Sequence, residues 1–181
     1  MKATGIVRRI DDLGRVVVPK EIRRTLRIRE GDPLEIFTDR NGEIILKKYS
    51  PIGELSNFAG QCADAITQST GHIAAITDKD QFIAVSGSLK KELTMKQISK
   101  ELEALINSRS NIVAAQSDKS FIQISHDRQD IIYEAICPII CAGDVIGSVI
   151  IMSKDDNAKF GETELKIGMT AASFLASQME D

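Results

Sequence analysis

The sequence contains few of the residues that stabilise small proteins through covalent or metal cross-links. Its 181 residues include no tryptophan, three cysteines and two histidines. These are too few and too scattered for a disulfide framework or a four-ligand zinc site. Only six phenylalanines and two tyrosines are present, so we expect a core of aliphatic side chains and neither a metal nor a cofactor.

The sequence also lacks a long hydrophobic run. No segment approaches the roughly 18 apolar residues that cross a bilayer, and the first residues do not form the apolar core of a secretion signal. Hydrophobic residues make up 43% and charged residues 27% of the chain, as in ordinary globular proteins. We therefore expect a folded cytoplasmic protein without a membrane partner.

Charge is divided unevenly along the chain. Residues 1–50 contain twelve Lys/Arg and eight Asp/Glu, a net charge of +4, whereas residues 51–181 contain eleven and eighteen, a net charge of −7. The sum is the formal net charge of −3. A basic segment on an acidic body suggests that the basic part binds an anion. The alternative is a charged surface that only faces solvent.

Breaks in the pattern divide the chain into modules. Pro51 and Gly53 follow a strand-like run, so we predict a first domain over 1–50, a short linker over 51–55 and a second domain over 56–181. A module of about 50 residues buries little core by itself and usually needs a cross-link or a partner. Without metal or disulfide, dimerisation is the remaining solution.

The first domain combines short strands with one helix. Alternating residues predict strands over Thr4–Ile10 and Arg15–Val18, and Pro19 begins a helix that runs through Leu26. The Asn41-Gly42 pair is typical of a hairpin turn and joins predicted strands over Leu34–Thr38 and Glu43–Lys47.

The predicted helix carries a stripe of positive charge. Lys20, Arg23, Arg24 and Arg27 are spaced i, i+3, i+4 and i+7, which places them on one side, while Ile22 and Leu26 point to another side that can enter the core. Like charges this close repel, and a phosphate backbone relieves that repulsion with release of counterions. The spacing therefore favours binding to nucleic acid, with Arg8, Arg9 and Arg15 as further cations.

A family resemblance supports this interpretation. The run Asp12–Leu26, followed by Gly31-Asp32-Pro33-Leu34-Glu35, resembles the AbrB-type swapped-hairpin DNA-binding domain. The resemblance implies that two chains exchange hairpins into one β-barrel and that Arg8, Arg15, Arg23 and Arg24 contact duplex DNA. Lys2 and Arg9 are expected as extra phosphate contacts. The same superfamily includes antitoxins, which leaves a toxin-binding protein as an alternative.

The second domain begins and ends with amphipathic helices. Apolar residues at helical spacing predict helices over 55–66 and 165–179, and Thr94 with Gln97 predicts a capping box that starts a third helix. Between them we predict strands over Ile73–Thr77, Gln81–Val85, Ser120–Ile124, Ile131–Cys141 and Val145–Met152.

This order of elements resembles a GAF domain, a small sensory module. The fold class is therefore α+β, with a dimeric swapped-hairpin barrel followed by a GAF-like antiparallel sheet flanked by helices. The resemblance implies a site for an unknown small molecule between the sheet and a cover formed by residues 86–130, near Phe82, Ser86, Phe121 and Cys137. The alternative is that these four are ordinary core and loop residues.

Two further properties of the second domain bear on function. Small residues in its terminal helices, such as Ala59, Ala63 and Ala172, allow helices of different chains to pack into a homotetramer, or they only cover their own sheet. Some GAF-based enzymes use cysteines, but Cys137 and Cys141 lie about 13 Å apart on a straight strand, too far for a disulfide. We do not expect an enzyme.

The two resemblances together match the layout of regulators of sporulation in spore-forming bacteria. The expected function is a sequence-tolerant DNA-binding transcription regulator, both activator and repressor, whose second domain senses a signal and assembles tetramers.

Overall fold

The computed structural model describes residues 5–125 and 130–179, and its chain divides into two compact units, Met1–Tyr49 and Ser50–Asp181. In the N-terminal unit, α1 (Lys20–Thr25) precedes an antiparallel hairpin of β1 (Leu34–Thr38) and β2 (Ile44–Lys48). The carboxylate of Asp39 accepts the N–H groups of Asn41 and Glu43 at 2.9 and 3.0 Å, and Gly42 takes the positive φ that the turn requires. The predicted helix and hairpin are confirmed.

The two strands predicted at the N-terminus do not form within the described part of this single chain. Residues 5–10 and 15–18 have extended or irregular backbone without a strand ladder, so the prediction of strands over Thr4–Ile10 and Arg15–Val18 is wrong for one chain. Most of their apolar residues are exposed, with Val7 at 86% and Val17 at 70%. A strand exists only through hydrogen bonds to a neighbour, and no described segment of the same chain supplies one here.

The C-terminal unit is built on one antiparallel sheet. Its strands are β3 (Ile73–Thr77), β4 (Phe82–Ser86), β5 (Ile112–Ala115), β6 (Tyr133–Cys141) and β7 (Asp144–Ser153), in the spatial order β4-β3-β7-β6-β5. Its helices are α2 (Pro51–Glu54), α3 (Ser56–Thr70), α4 (Lys90–Leu93), α5 (Lys100–Ser108) and α6 (Glu162–Ser177). The long pair β6 and β7 forms the centre of the sheet, as their unbroken apolar runs predict.

Each face of the sheet is covered differently. We call the side under α3 and α6 the helix face, where Ala63 and Leu175 pack with Ile76 and Val149. We call the opposite side, under α4, α5 and residues 121–124 and 131, the loop face. Its core side chains are almost all aliphatic: Val85, Leu89, Leu93, Ile98, Leu102, Ile106, Ile136 and Ile150, with Phe82. Alternation along each strand divides the apolar residues between these two layers.

The third predicted helix begins later than its sequence pattern indicates. Ser99, not Thr94, is the N-cap: its hydroxyl accepts the N–H of Leu102 at 2.9 Å, and α5 starts at Lys100. The Thr94 hydroxyl, just after α4, instead donates to the carbonyl of Lys90, the first residue of that helix. The predicted apolar positions Ile98, Leu102 and Ile106 are nevertheless buried.

Three other segments differ from their sequence-based assignment. Ser120–Ile124 is not a strand, because the N–H of Ile122 bonds to the side chain of Glu134 and not to a neighbouring strand. Residues 51–55, predicted as a linker, contain the helical turn α2, whose Ile52 is fully buried. Strand β5 was not predicted, because its four residues carry no alternation of their own.

The α+β fold class is confirmed by both units. Among the described residues, no helix combines the length and apolar character that a membrane span requires.

Candidate nucleic-acid interface

Helix α1 presents most of the predicted cationic stripe. Pro19 precedes its first turn, where a missing N–H costs nothing, and the Pro19 carbonyl accepts the N–H of Arg23 at 2.9 Å. Lys20 and Arg24 are exposed and Arg23 is half-buried. Three cationic residues therefore lie on one helix of six residues.

Arg27 does not belong to that helix. The helix ends at Thr25, and Arg27 has a left-handed backbone with φ of 52°. The N–H of Arg27 bonds to the carbonyl of Arg24 at 3.4 Å and the N–H of Ile28 to that of Arg23 at 2.7 Å, which is the Schellman pattern of helix ends. The predicted i+7 position is therefore wrong, and Arg27 follows the helix as a half-buried loop residue.

The apolar side expected for this helix is only partly buried in the single chain. Ile22 is half-buried, whereas Leu26 is 58% exposed.

Arg15 lies at the end of a tight turn organised by Asp11. The Asp11 carboxylate accepts the N–H groups of Leu13 and Arg15 at 3.0 and 2.8 Å and pairs with the Arg15 guanidinium at 2.8 Å. The hydrogen bond from the Arg15 backbone is the main cause that lowers the pKa of Asp11 below its usual value. Gly14 takes the positive φ of the turn. The Arg15 side chain remains 69% exposed.

The remaining predicted contacts lie before this turn. Arg8 and Arg9 are both exposed and lie outside any helix or strand. Lys2 lies outside the described residues.

A charged cluster that sequence reasoning missed connects the end of α1 to the hairpin. The Lys48 ammonium donates to the carbonyl of Arg27 at 3.0 Å and pairs with the Asp32 carboxylate at 3.0 Å. Asp32 also accepts the N–H of Arg29 at 2.8 Å. Burial opposes ionisation of Asp32, but this N–H bond and the Lys48 ammonium together hold its pKa below the usual value. We call these three residues, Arg27, Asp32 and Lys48, the Lys48 clamp.

The four residues predicted for a ligand pocket do not come together. Phe82 and Phe121 pack in the core of the loop face. Cys137 packs in the helix face, and the Ser86 hydroxyl donates to Asp64 of α3 at 2.6 Å. The sheet thus separates the set into two pairs. A register shift between β3 and β4 at Ile76/Thr77 interrupts the alternation along β4, so Phe82 and Ser86 face opposite sides although they are four residues apart.

Cys137 is enclosed by the helix that covers it. A Cβ placed on Gly168 of α6 would lie 2.8 Å from its Sγ atom, so the two elements pack too closely for any side chain there. Burial raises the pKa of the Cys137 thiol to about 11. A thiol in this state is a poor nucleophile, and Cys137, Cys141 and Cys62 are all free.

The outer side of the helix layer carries exposed apolar residues. Phe58 of α3 and Met169 and Phe174 of α6 are each exposed by more than two-fifths. A cleft of about 190 Å³ lies between the end of β6 and α6, lined by Pro138 and Ile140 among others.

Comparison with known proteins places the chain in a family. The family described as "Stage V sporulation protein T C-terminal, transcription factor" matches residues 54–180. Stage V sporulation protein T of Bacillus subtilis is 58% identical over 181 residues, which cover 99% of both chains. The chain belongs to the stage V sporulation protein T family. Residues 7–54 also match the family described as "Antidote-toxin recognition MazE, bacterial antitoxin".

Other comparisons concern one unit of this family member at a time. The transition state regulatory protein AbrB of Bacillus subtilis is 65% identical over 51 residues, which cover 28% of this chain and 52% of AbrB. The GAF domain of a phosphoenolpyruvate-protein phosphotransferase from Acinetobacter is similar in structure, with a TM-score of 0.59 at 11% identity, over 74% of this chain and 84% of that domain. The GAF-like fold expected from the sequence is confirmed.

Proposed function

We propose that this protein regulates transcription during sporulation by binding duplex DNA through its N-terminal unit. The observation that carries the proposal is the cationic surface of α1, formed by Lys20, Arg23 and Arg24. Arg8, Arg9 and Arg15 add exposed cations to the same unit. Membership of a family described as a transcription factor supports the assignment.

Binding of this kind is mainly electrostatic. Lysine and arginine neutralise phosphates and release condensed counterions, and such contacts position a protein without reading sequence. One or two arginines that reach guanine edges add limited selectivity. A sequence-tolerant regulator of this type activates or represses according to where it binds.

The DNA-binding form is a homodimer. Exposed apolar residues of the N-terminal unit (Val7, Val17, Leu26, Ile36 and Ile44) favour a partner that covers them. A second copy that exchanges hairpins into one β-barrel supplies both that cover and the missing strand ladders. This arrangement follows the AbrB-type resemblance.

The C-terminal unit senses a signal and assembles dimers into tetramers. Exposed Phe58, Met169 and Phe174 on α3 and α6 favour helix packing between copies. Signal binding is assigned to the loop face, where Phe82 and Phe121 lie. A ligand changes DNA binding only if it prefers one arrangement of the assembly. We place this activity in the cytoplasm and assign no catalysis to the protein.

The match of residues 7–54 to an antitoxin family supports a second candidate, a protein that binds a toxin. The family match over residues 54–180 favours the regulator.

Fluorescence anisotropy with a labelled duplex over a salt series tests the proposal. We expect a steep decline of affinity with salt for the wild type. In Arg23→Ala/Arg24→Ala the log–log slope should flatten by roughly 0.9 for each phosphate that the variant no longer neutralises. The matched control, Lys90→Ala/Lys91→Ala, removes the same charge from an exposed site of the C-terminal unit and should keep the wild-type slope.

A folded wild-type dimer that fails to bind duplex at low salt would contradict the proposal. Binding of a purified toxin by that same protein would then support the second candidate.

A further inference from the structure

The most unusual backbone in the candidate interface is at Arg27. A left-handed conformation is unfavourable for a side-chain-bearing residue, and the position after a helix end is most often glycine. Here an arginine occupies it with φ of 52°. Such a residue persists where surrounding contacts hold it, and these sites are often functional.

The Lys48 clamp supplies contacts of this kind. The Lys48 ammonium bonds at 3.0 Å to the carbonyl of Arg27. Lys48 is the last residue of β2 and follows Arg27 by 21 residues in the sequence. Asp32 holds that ammonium at 3.0 Å, and its side chain is only 10% exposed, against 24% for Lys48. The partly buried pair therefore fixes the carbonyl of a cationic residue to the hairpin.

Within the clamp, the charges of Lys48 and Asp32 pair with each other. Lys48 directs its charge to Asp32 and its hydrogen bond to Arg27. The Asp32 carboxylate also fixes the turn before β1 by accepting the N–H of Arg29. Counting charges along the sequence would make Lys48 one more phosphate contact and Asp32 an unfavourable anion; the geometry gives both a structural task at the end of α1.

We infer that Asp32 and Lys48 are positioning residues for DNA binding, which hold Arg27 in its left-handed conformation so that its guanidinium joins the cations of α1 on duplex DNA. This inference rests on the proposed function. It gives an acidic residue a role that strengthens the binding of a polyanion. Arg27 is the group that contacts DNA, and the clamp acts through it.

The test is a cycle of variants in the full-length protein: wild type, Asp32→Ala, Arg27→Gly and Asp32→Ala/Arg27→Gly. The readout is affinity for a labelled duplex at fixed salt, together with the salt slope. Glycine at 27 keeps the left-handed backbone and removes the guanidinium.

We expect Asp32→Ala to bind about three- to tenfold more weakly, the effect of losing one hydrogen bond of ordinary net strength, and Arg27→Gly to lower the slope by roughly 0.9 per phosphate. The double variant should bind no more weakly than Arg27→Gly alone.

The opposite result is equally clear. If net charge alone determined DNA affinity, Asp32→Ala would bind as tightly as the wild type or more tightly. Asp32→Ala would also change the affinity by the same factor in the Arg27→Gly background. Either finding overturns the inference. The control Glu30→Gln removes one exposed negative charge next to the clamp and should not weaken binding.

A second variant keeps the test valid if Asp32→Ala does not fold. Lys48→Met retains the aliphatic stem and removes the ammonium, and it should also weaken binding in the wild-type background but not in Arg27→Gly. Circular dichroism and sedimentation confirm fold and assembly for each variant. If Arg23→Ala/Arg24→Ala loses binding while Asp32→Ala and Lys48→Met keep the wild-type affinity, the positioning role of the clamp is refuted and the proposed function stands. No binding by the wild type would refute the proposed function itself.

Discussion

Glu134 is a fully buried carboxyl residue. It lies in β6 on the loop face, and its Oε1 atom accepts the N–H of Ile122 at 2.8 Å. Its Oε2 atom has no hydrogen-bond partner among residues 5–125 and 130–179. Burial raises the pKa of this carboxyl from 4.5 to about 8, against a smaller opposing effect of the Ile122 N–H. The residue is therefore protonated in the folded protein at neutral pH.

This proton makes stability depend on pH with a defined sign. Between pH 4.5 and about 8 the folded state holds a proton that the unfolded state releases, so the free energy of unfolding falls as pH rises through this window. The contribution is fully present below pH 4.5 and lost above about pH 8. The slope from one such group reaches about 1.4 kcal/mol per pH unit.

Glu134→Gln removes this dependence while keeping a carbonyl oxygen for Ile122. We expect the difference in unfolding free energy between variant and wild type to shift in favour of the variant as pH rises from 5 to 8. Urea unfolding at pH 5, 6.5 and 8 measures it. Parallel profiles for the two proteins would show that Glu134 is ionised in the fold.

At the scale of elements, Thr94 and Ser99 are the two candidate N-caps of α5, and the structure has Ser99 in that position. Loss of an N-cap side chain costs about 1 kcal/mol, and Ser99 is the residue that bonds to the helix. We therefore expect Ser99→Ala to lower the unfolding free energy by about that amount. Thr94→Ala is the matched control, since its hydroxyl only bonds back to α4. A larger effect at Thr94 would restore the helix start predicted from the sequence.

The elements predicted well are those specified by local pattern. The β1–β2 hairpin is encoded by Asn41-Gly42, and α3 and α6 by long amphipathic repeats. The start of α5 is less determined, because Thr94 and Ser99 both precede apolar residues at helical spacing. Only tertiary contacts such as the bond from Ser99 N–H to the carbonyl of Ile124 decide between them.

The candidate site likewise contains residues that local pattern predicts and residues that only tertiary contacts bring together. Lys20, Arg23 and Arg24 follow from helical spacing, and Arg15 from its resemblance to a known motif. The Lys48 clamp could not be predicted, because its hydrogen bond spans 21 residues and Gly31-Asp32-Pro33 reads only as a turn. Two of the predicted pocket residues, Phe82 and Ser86, lie on opposite faces because a bulge between Ile76 and Thr77 shifts the register of β3 and β4. Residue spacing along β4 therefore does not predict which face a side chain occupies.

At the scale of the whole molecule, the two units carry opposite charge. The basic N-terminal unit attracts a polyanion, whereas the acidic C-terminal unit repels one, so long-range electrostatics favours DNA binding at one unit. The effect is largest at low ionic strength, since charges separated by more than about 10 Å are screened at 0.1 M salt.

The exposed N-terminal segment gives a test of assembly. If a second copy pairs with residues 5–18, their backbone amides should exchange slowly with solvent hydrogen, because they then belong to a ladder. We expect such protection at Val7 and Val17, measured by hydrogen exchange with mass spectrometry. Val17→Asp should abolish it and reduce the mass in sedimentation, while Val85→Ala, in the core of the other unit, should not change the exchange of residues 5–18. Rapid exchange of the wild-type segment would contradict a swapped dimer.

The buried carboxyl on the loop face also affects how the charge of the protein is counted. The formal net charge of −3 treats every carboxyl as ionised, but the folded chain at pH 7 retains the Glu134 proton and is one unit less negative. Folding at neutral pH therefore takes up a proton from the buffer. Heats of unfolding measured in buffers with different ionisation enthalpies will differ for this reason, although the structure and its contacts are the same.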